Sequence, residues 1–157
     1  MRLEGACHCR AVTFTVESTT PVPYQRCYCS ICRKTQGGRG YAINLGADAA
    51  TMKVEGAEAI SIYHARMDGG ESEAERHFCK HCGSALWLYD SHWPELIHPH
   101  APAIDTDLLV QFSSTHIMLD FKANWVEVPA GPDDIVRSDY PDESIETWHQ
   151  RTGNKVS

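Results

Sequence analysis

Seven cysteines fall into three tight groups: Cys7-His8-Cys9, Cys27-Tyr28-Cys29-Ser30-Ile31-Cys32, and Cys79-Lys80-His81-Cys82. This grouping constrains the fold more than any other feature. Thiols one or two residues apart can grip a metal ion from a single tight turn, whereas pairwise disulfides would leave one of the seven over. The redox setting points the same way. The start, Met1-Arg2-Leu3-Glu4-Gly5, has no apolar leader stretch, and no apolar run approaches the ~20 residues that span a bilayer. The expected location is the cytoplasm, where thiols stay reduced, and the expected use of the cysteines is metal binding.

The seven divide naturally into four and three. Cys7 and Cys9 with Cys79 and Cys82 make two close pairs far apart in sequence, the usual arrangement of a closed structural zinc. Gly83 after the second pair supplies the backbone freedom such a turn needs. Cys27, Cys29 and Cys32 can wrap a second zinc from one loop, and no eighth cysteine remains to close its shell. The fourth position then falls to a water, a substrate or a histidine, with His64, His77, His92, His98 and His100 as candidates for a closed alternative. A different division of the pairs between the two metals is also compatible with the spacing.

An open three-thiolate zinc has a definable chemistry. Three thiolates bring the charge of the complex to about −1, which weakens its action on bound water relative to a three-histidine site. A hydroxide-generating hydrolase fits poorly, and a soft, thiolate-rich site suits an incoming sulfur ligand. A thiol held there stays a thiolate at neutral pH, ready to add to an aldehyde or to leave from an adduct. Charge supports a small anionic partner. The net charge of −7 argues against nucleic-acid binding, yet residues 1–39 carry six basic side chains (Arg2, Arg10, Arg26, Arg33, Lys34, Arg39) against Glu4 and Glu17. Arg33 and Lys34, directly after the second group, are the candidate substrate-binding cations.

The hydrophobic pattern predicts a mainly β, single-domain protein with short helical turns only. Strands are expected over 11–16, 41–45, 60–63 and 85–89, and a hairpin over 108–112 and 116–121 turning at 113–115. Ser30 to Thr35 reads as a short helix capped by Ser30, and 142–148 as a terminal turn or two. Residues 90–107, with three prolines and three histidines, read as one long loop. The domain is placed at 1–150, with a frayed tail at 151–157. Trp87, Trp93, Trp125 and Trp148 are expected to pack in the core or at its edge, and His116 to be a satisfied structural histidine.

Taken together, Gly5-Ala6-Cys7-His8-Cys9, Cys27-Tyr28-Cys29-Ser30-Ile31-Cys32-Arg33-Lys34 and Phe78-Cys79-Lys80-His81-Cys82-Gly83-Ser84 resemble the glutathione-dependent formaldehyde-activating enzyme family. The stretches His116-Ile117-Met118, Lys122-Ala123-Asn124-Trp125 and Ser144-Ile145-Glu146-Thr147-Trp148-His149 are similar to segments of its members. Arg10 departs from the glycine that often follows the first pair, and 99–105 replaces a glycine-rich segment. The resemblance implies a zinc-containing β-tent, a structural zinc on Cys7, Cys9, Cys79 and Cys82, and a catalytic zinc on Cys27, Cys29 and Cys32. It implies a carbon–sulfur lyase with two zinc ions per chain, glutathione as co-substrate, and a thiol and an aldehyde of the formaldehyde type as its small-molecule partners, with no nucleic acid or membrane. The competing readings are a thiol carrier that performs no chemistry and a zinc module that mediates protein contacts.

Overall fold

The computed structural model describes residues 1–36 and 38–157. In chain order its elements are β1 (Arg2–Ala6), β2 (Thr13–Glu17), β3 (Gln25–Cys27), α1 (Ser30–Thr35), β4 (Ala47–Asp48), β5 (Lys53–Glu55) and β6 (Ile60–Met67). There follow β7 (Gly70–Cys79), β8 (Ala85–Tyr89), β9 (Leu96–Pro99), β10 (Thr115–Ile117), β11 (Ile135–Val136) and α2 (Ile145–Arg151), with four single 3-10 turns between them. The strands form three sheets: β1-β2-β5, β11-β10-β3 and the five-stranded β4-β9-β8-β7-β6. The expected mainly β, single-domain organisation is what the chain adopts.

The first sheet is antiparallel and alternates. Leu3 and Gly5 of β1 and Phe14 and Val16 of β2 turn inward, with Leu3 opposite Val16 and Gly5 opposite Phe14. Gly5 is there because space is short: a Cβ at this position would come within 2.5 Å of the Phe14 ring and of the Ala103 carbonyl oxygen. This sheet packs on the five-stranded one through Phe14 and Trp87, whose rings meet edge to face at 5.2 Å. Leu3, Val12, Phe14, Val16, Leu45, Leu86, Trp87 and Ile97 make the main core. Each such side chain contributes about 1.5–3 kcal/mol by leaving water.

Several expectations change in three dimensions. The hairpin over 108–121 does not form. Thr115, His116 and Ile117 instead make the central strand β10 of a parallel sheet, with β3 on one side and β11 on the other, and all three are buried. Both edges of β10 are thereby used, and Val110 and Phe112 are left almost wholly exposed. The run 41–45 pairs through single bridges, Ala42 with Cys27 and Asn44 with His100, so it ties two sheets together rather than joining one. The expected loop 90–107 contains β9 and a 3-10 turn at Ala101–Ala103. Trp87 and Trp148 are core, whereas Trp93 and Trp125 are exposed.

Both helices appear, with one altered cap. Cys29, not Ser30, caps α1, its Sγ accepting from the Cys32 N–H at 3.3 Å. Helix α2 is capped by Ser144 and docks through Trp148, which stacks on Tyr24 at 3.6 Å. The segment after Arg151 is not frayed. Val156 donates its N–H to the Thr19 carbonyl at 3.0 Å, and Lys155 pairs with Glu146 at 2.7 Å. No helix among the described residues is long and apolar enough to cross a membrane.

Two candidate metal centres and a cavity beside them

The end of β1 and the end of β7 bring Cys7 and Cys79 together, and the turn after each supplies the second cysteine. After β1, the Arg10 N–H donates to the Cys7 carbonyl at 2.9 Å, with Arg10 itself at φ 60°. After β7, the Gly83 N–H donates to the Cys79 carbonyl at 2.8 Å, and Gly83 takes φ 75°, a conformation costly for other residues. The four ligand sulfurs lie within 4.8 Å of one another, Cys7 to Cys9 at 3.6 Å and Cys9 to Cys79 at 3.8 Å. Tetrahedral zinc with Zn–S of about 2.3 Å needs sulfurs about 3.8 Å apart, so this donor set fits zinc. The Val12 N–H points at Cys7 Sγ from 3.3 Å, and the Ser84 hydroxyl lies 3.2 Å from Cys82 Sγ. Those contacts favour sulfur as thiolate, and the Ser84 hydroxyl, then its N–H, pull Cys82 down to about 5.

Cys27 ends β3, Cys29 caps α1 and Cys32 lies within α1. Their sulfurs also lie within 4.8 Å of one another, and among the described residues no histidine or carboxylate joins the group. The Cys27 thiol, and then that of Cys32, pull Cys29 down to about 2. The Cys29 thiol, and then that of Cys32, push Cys27 far up, because a second and third negative sulfur cannot be accommodated beside the first. A divalent cation removes that conflict, so this cluster too fits a metal that prefers thiolates.

Tyr28, between two of these cysteines, is fully buried and its hydroxyl lies 2.9 Å from His116 Nδ1. His116 Nε2 lies 3.0 Å from Asp134 Oδ2, and with Nε2 donating there Nδ1 is free to accept from the Tyr28 hydroxyl. Burial works against the Asp134 charge, but the Ser114 and Gly131 N–H groups and His116 hold its carboxyl below the ordinary range. His116 is the satisfied structural histidine that was expected. The Tyr28–His116–Asp134 chain itself carries no local sequence signal, since its members come from three separate strands and turns.

Among the described residues, none of the histidines offered as a fourth ligand joins the three-cysteine group. His64 Nδ1 contacts the Ser72 carbonyl at 2.9 Å, His77 stacks on Trp87 at 5.1 Å, and His92 pairs with Asp90 at 2.7 Å on an exposed turn. His98 Nδ1 donates to the Leu45 carbonyl at 3.0 Å, and His100 Nδ1 to Asn44 Oδ1 at 3.0 Å. Burial, then the positive charge of Arg76, pushes His100 down to about 3, so its ring is neutral. Lys34 is exposed on α1, while Arg33 is half-buried. Among the described residues, the Nε atoms of Arg26, Arg33 and Arg76 are buried without a hydrogen-bond partner. Arg76, on β7, was not singled out from sequence, although its charge acts on both Cys32 and His100.

A cavity of about 530 Å³ opens between α1 and the first cysteine group. Thr35 and Gln36 form one wall, His8 and Ser84 another, His100 lies on its lining, and Arg10 and Asp105 pair at 3.6 Å among the lining residues. Gln36 follows Cys32 by one helical turn, and its N–H donates to the Cys32 carbonyl at 3.0 Å. Gln36 was missed because α1 was read as ending at Thr35. Extending the helical period by one residue puts it on the Cys32 face.

A family model described as "Glutathione-dependent formaldehyde-activating enzyme" matches residues 2–118. A protein of Halomonas elongata described as "Putative glutathione-dependent formaldehyde-activating enzyme" is 57% identical over 153 residues, covering 98% of each chain. A crystal structure of a Rhodobacter sphaeroides protein is similar with a TM-score of 0.53 and 29% identity, covering 68% of this chain and 90% of that one. The three cysteine groups lie inside the matched span, and the relative is alike from end to end. This chain belongs to the glutathione-dependent formaldehyde-activating enzyme family.

Proposed function

We propose that the protein is a zinc-dependent carbon–sulfur lyase that joins or separates a glutathione-like thiol and a formaldehyde-like aldehyde at Cys27, Cys29 and Cys32. The observation that carries this reading is the three-thiol group with no fourth protein donor among the described residues. A zinc ion held there would take the substrate's sulfur as its remaining ligand and keep it a thiolate at neutral pH. The residues of this chain supply the setting. The Cys27 and Cys32 thiols favour the Cys29 thiolate, the α1 turn holds Cys29 and Cys32 in one register, and the Tyr28 hydroxyl is held 2.9 Å from His116 Nδ1.

In the forward direction the substrate sulfur attacks the aldehyde carbon and a carbon–sulfur bond forms. The carbonyl π electrons move to oxygen, which takes up the proton released from the thiol. Arg33 and Lys34, with the half-buried Arg76, offset the negative charge of the thiolates and draw in an anionic substrate. Cys7, Cys9, Cys79 and Cys82 hold a second, structural zinc in this reading. Residues 1–150 then form the zinc-bearing domain and 151–157 its tail, and a cytoplasmic location keeps the thiols reduced.

The test is zinc content under reducing conditions, with and without glutathione, followed by consumption of formaldehyde in the presence of glutathione. Two zincs per chain and glutathione-dependent consumption are expected. Two zincs with glutathione bound but no consumption would favour the thiol carrier, and one zinc indifferent to glutathione would leave only the structural site.

A further inference from the structure

The five-stranded sheet ends on β6, an eight-residue strand with β7 on one side and no strand among the described residues on the other. The other sheet edges are short or covered. Strands β4 and β11 have two residues each and β5 has three. Strand β1 is covered by Ile104 at Gly5 and by Asp105 at Glu4, and β3 is bridged from Cys27 to Ala42. The ladder fixes which backbone groups of β6 are free. Ile60 stands opposite Cys79, yet the Cys79 N–H donates to the Ser84 carbonyl at 2.9 Å, and the Lys80 N–H donates to the Ala59 carbonyl at 2.9 Å. In an antiparallel pair bonded and unbonded positions alternate, so Ile60, Ile62 and His64 turn their N–H and C=O groups outward. Such a row is a template for another strand, and edges that stay single usually carry Lys, Pro or a bulge. Residues Ile60 to His64 include no Lys or Pro, and the ladder becomes irregular only after His64. Ile62 and Tyr63 are 48% and 43% exposed.

We infer that β6 pairs antiparallel with β6 of a second copy of this chain, joining two five-stranded sheets into one about a twofold axis at Ile62. The charges select this partner and this register. Glu58, just before the strand, and Arg66, near its end, are exposed and take part in no ion pair among the described residues. An axis at Ile62 sets Ile62 opposite the partner's Ile62, Ile60 opposite the partner's His64 and Glu58 opposite the partner's Arg66. Each unlike pair occurs twice, because the contact is self-complementary. The outward groups of Ile60, Ile62 and His64 are then all matched, and opposite charges face each other across the ladder. Moving the axis to Tyr63 would set Glu58 against the partner's Asp68, and moving it to Ser61 would leave Arg66 opposite the partner's Gly56. A contact of one strand is small, so the dimer is weak and concentration-dependent. It does not depend on the chemistry proposed above.

Sedimentation of the full chain in reducing buffer tests the pairing, over concentrations from about 1 µM to 1 mM, with circular dichroism recorded for every variant. A reversible step from 17.5 kDa to twice that mass is expected. Ile62→Pro removes an N–H that faces outward, so the β6–β7 ladder keeps its bonds while the dimer loses its central pair. It should weaken association about tenfold or more. Arg66→Glu sets like charges together and should weaken association about fivefold, and Glu58→Arg combined with it should restore the wild-type value. From Ile60 to Arg66 the strand already spans about 20 Å, so the two side chains cannot meet within one molecule and the rescue reports contact between copies. A monomer at every concentration, a dimer indifferent to Ile62→Pro, or an Arg66→Glu loss that the reversal does not restore would each overturn the pairing. Should Ile62→Pro prove poorly folded, the exposed positions 58 and 66 decide. Loss and restoration there support the dimer, and no change overturns it.

Discussion

Tyr28 stands between two cysteines of one cluster, yet its ring is buried and its hydroxyl is spent on His116. In an extended turn alternate residues face opposite ways, so an inward tyrosine holds Cys27 and Cys29 on the same outward side. Tyr28→Phe leaves His116 Nδ1 buried without its hydroxyl partner and should cost about 1–3 kcal/mol in urea unfolding while the zinc count stays unchanged. Cysteine substitutions should separate the two clusters. Cys29→Ser should lower zinc by about one equivalent with the circular dichroism of the fold retained. Cys79→Ser should lower solubility or unfold the chain, since it opens a closed four-thiolate clip. Equal behaviour of the two variants would refute the division into an open and a closed site. The cysteines were legible as residues because ligand spacing is a local property, and the Cys29 cap of α1 was not. A thiol is a weak acceptor, and Ser30 beside it is the stronger cap on propensity alone.

At the scale of elements, α2 depends on tertiary contacts. Seven residues are too few to be helical alone. Trp148 stacked on Tyr24, and His149 accepting from the Val22 N–H at 3.1 Å, hold it to the rest. Trp148→Ala should cost about 3–5 kcal/mol, read as a shift in the urea midpoint. Burial lowers the His149 pKa below its ordinary 6.5. Above about pH 6.5 the ring is neutral whether the chain is folded or not, and the stabilisation is complete. As pH falls below 6.5 the unfolded chain takes up the proton first, so stability is lost progressively toward the lower folded value. Urea midpoints at pH 7.5 and 5.5 should therefore fall, and fall less in His149→Gln. Part of the slope should remain, because His98 and His100 are also lowered by burial. Among the strands, β2, β6 and β8 could be read from their alternation or apolar run, whereas β1 was not expected. Strand β10 could not be placed, because three consecutive buried residues, Thr115, His116 and Ile117, carry no period and owe their burial to partners on both sides.

Over the whole molecule, the first cysteine group ties β1, at the edge of one sheet, to β7, inside another. Gradual chelation of zinc in reducing buffer should therefore give two steps. The first removes metal with little change in far-UV circular dichroism, and the second unfolds the protein cooperatively. A single step with both changes together would mean that the three-cysteine site is also structural. The sequence by itself determined the donor chemistry and the mainly β class. Spacings of one and two residues define a thiolate turn wherever it folds, and short alternating runs define strands. Only the tertiary structure decided that Cys7 and Cys9 meet Cys79 and Cys82, and that Arg76 faces the second cluster electrostatically. The same is true of Gln36 and His100, which it placed on one cavity. These groups come from β7, the end of α1 and the residue after β9. No local pattern relates them, because what makes each one matter is a buried neighbour that is distant along the chain.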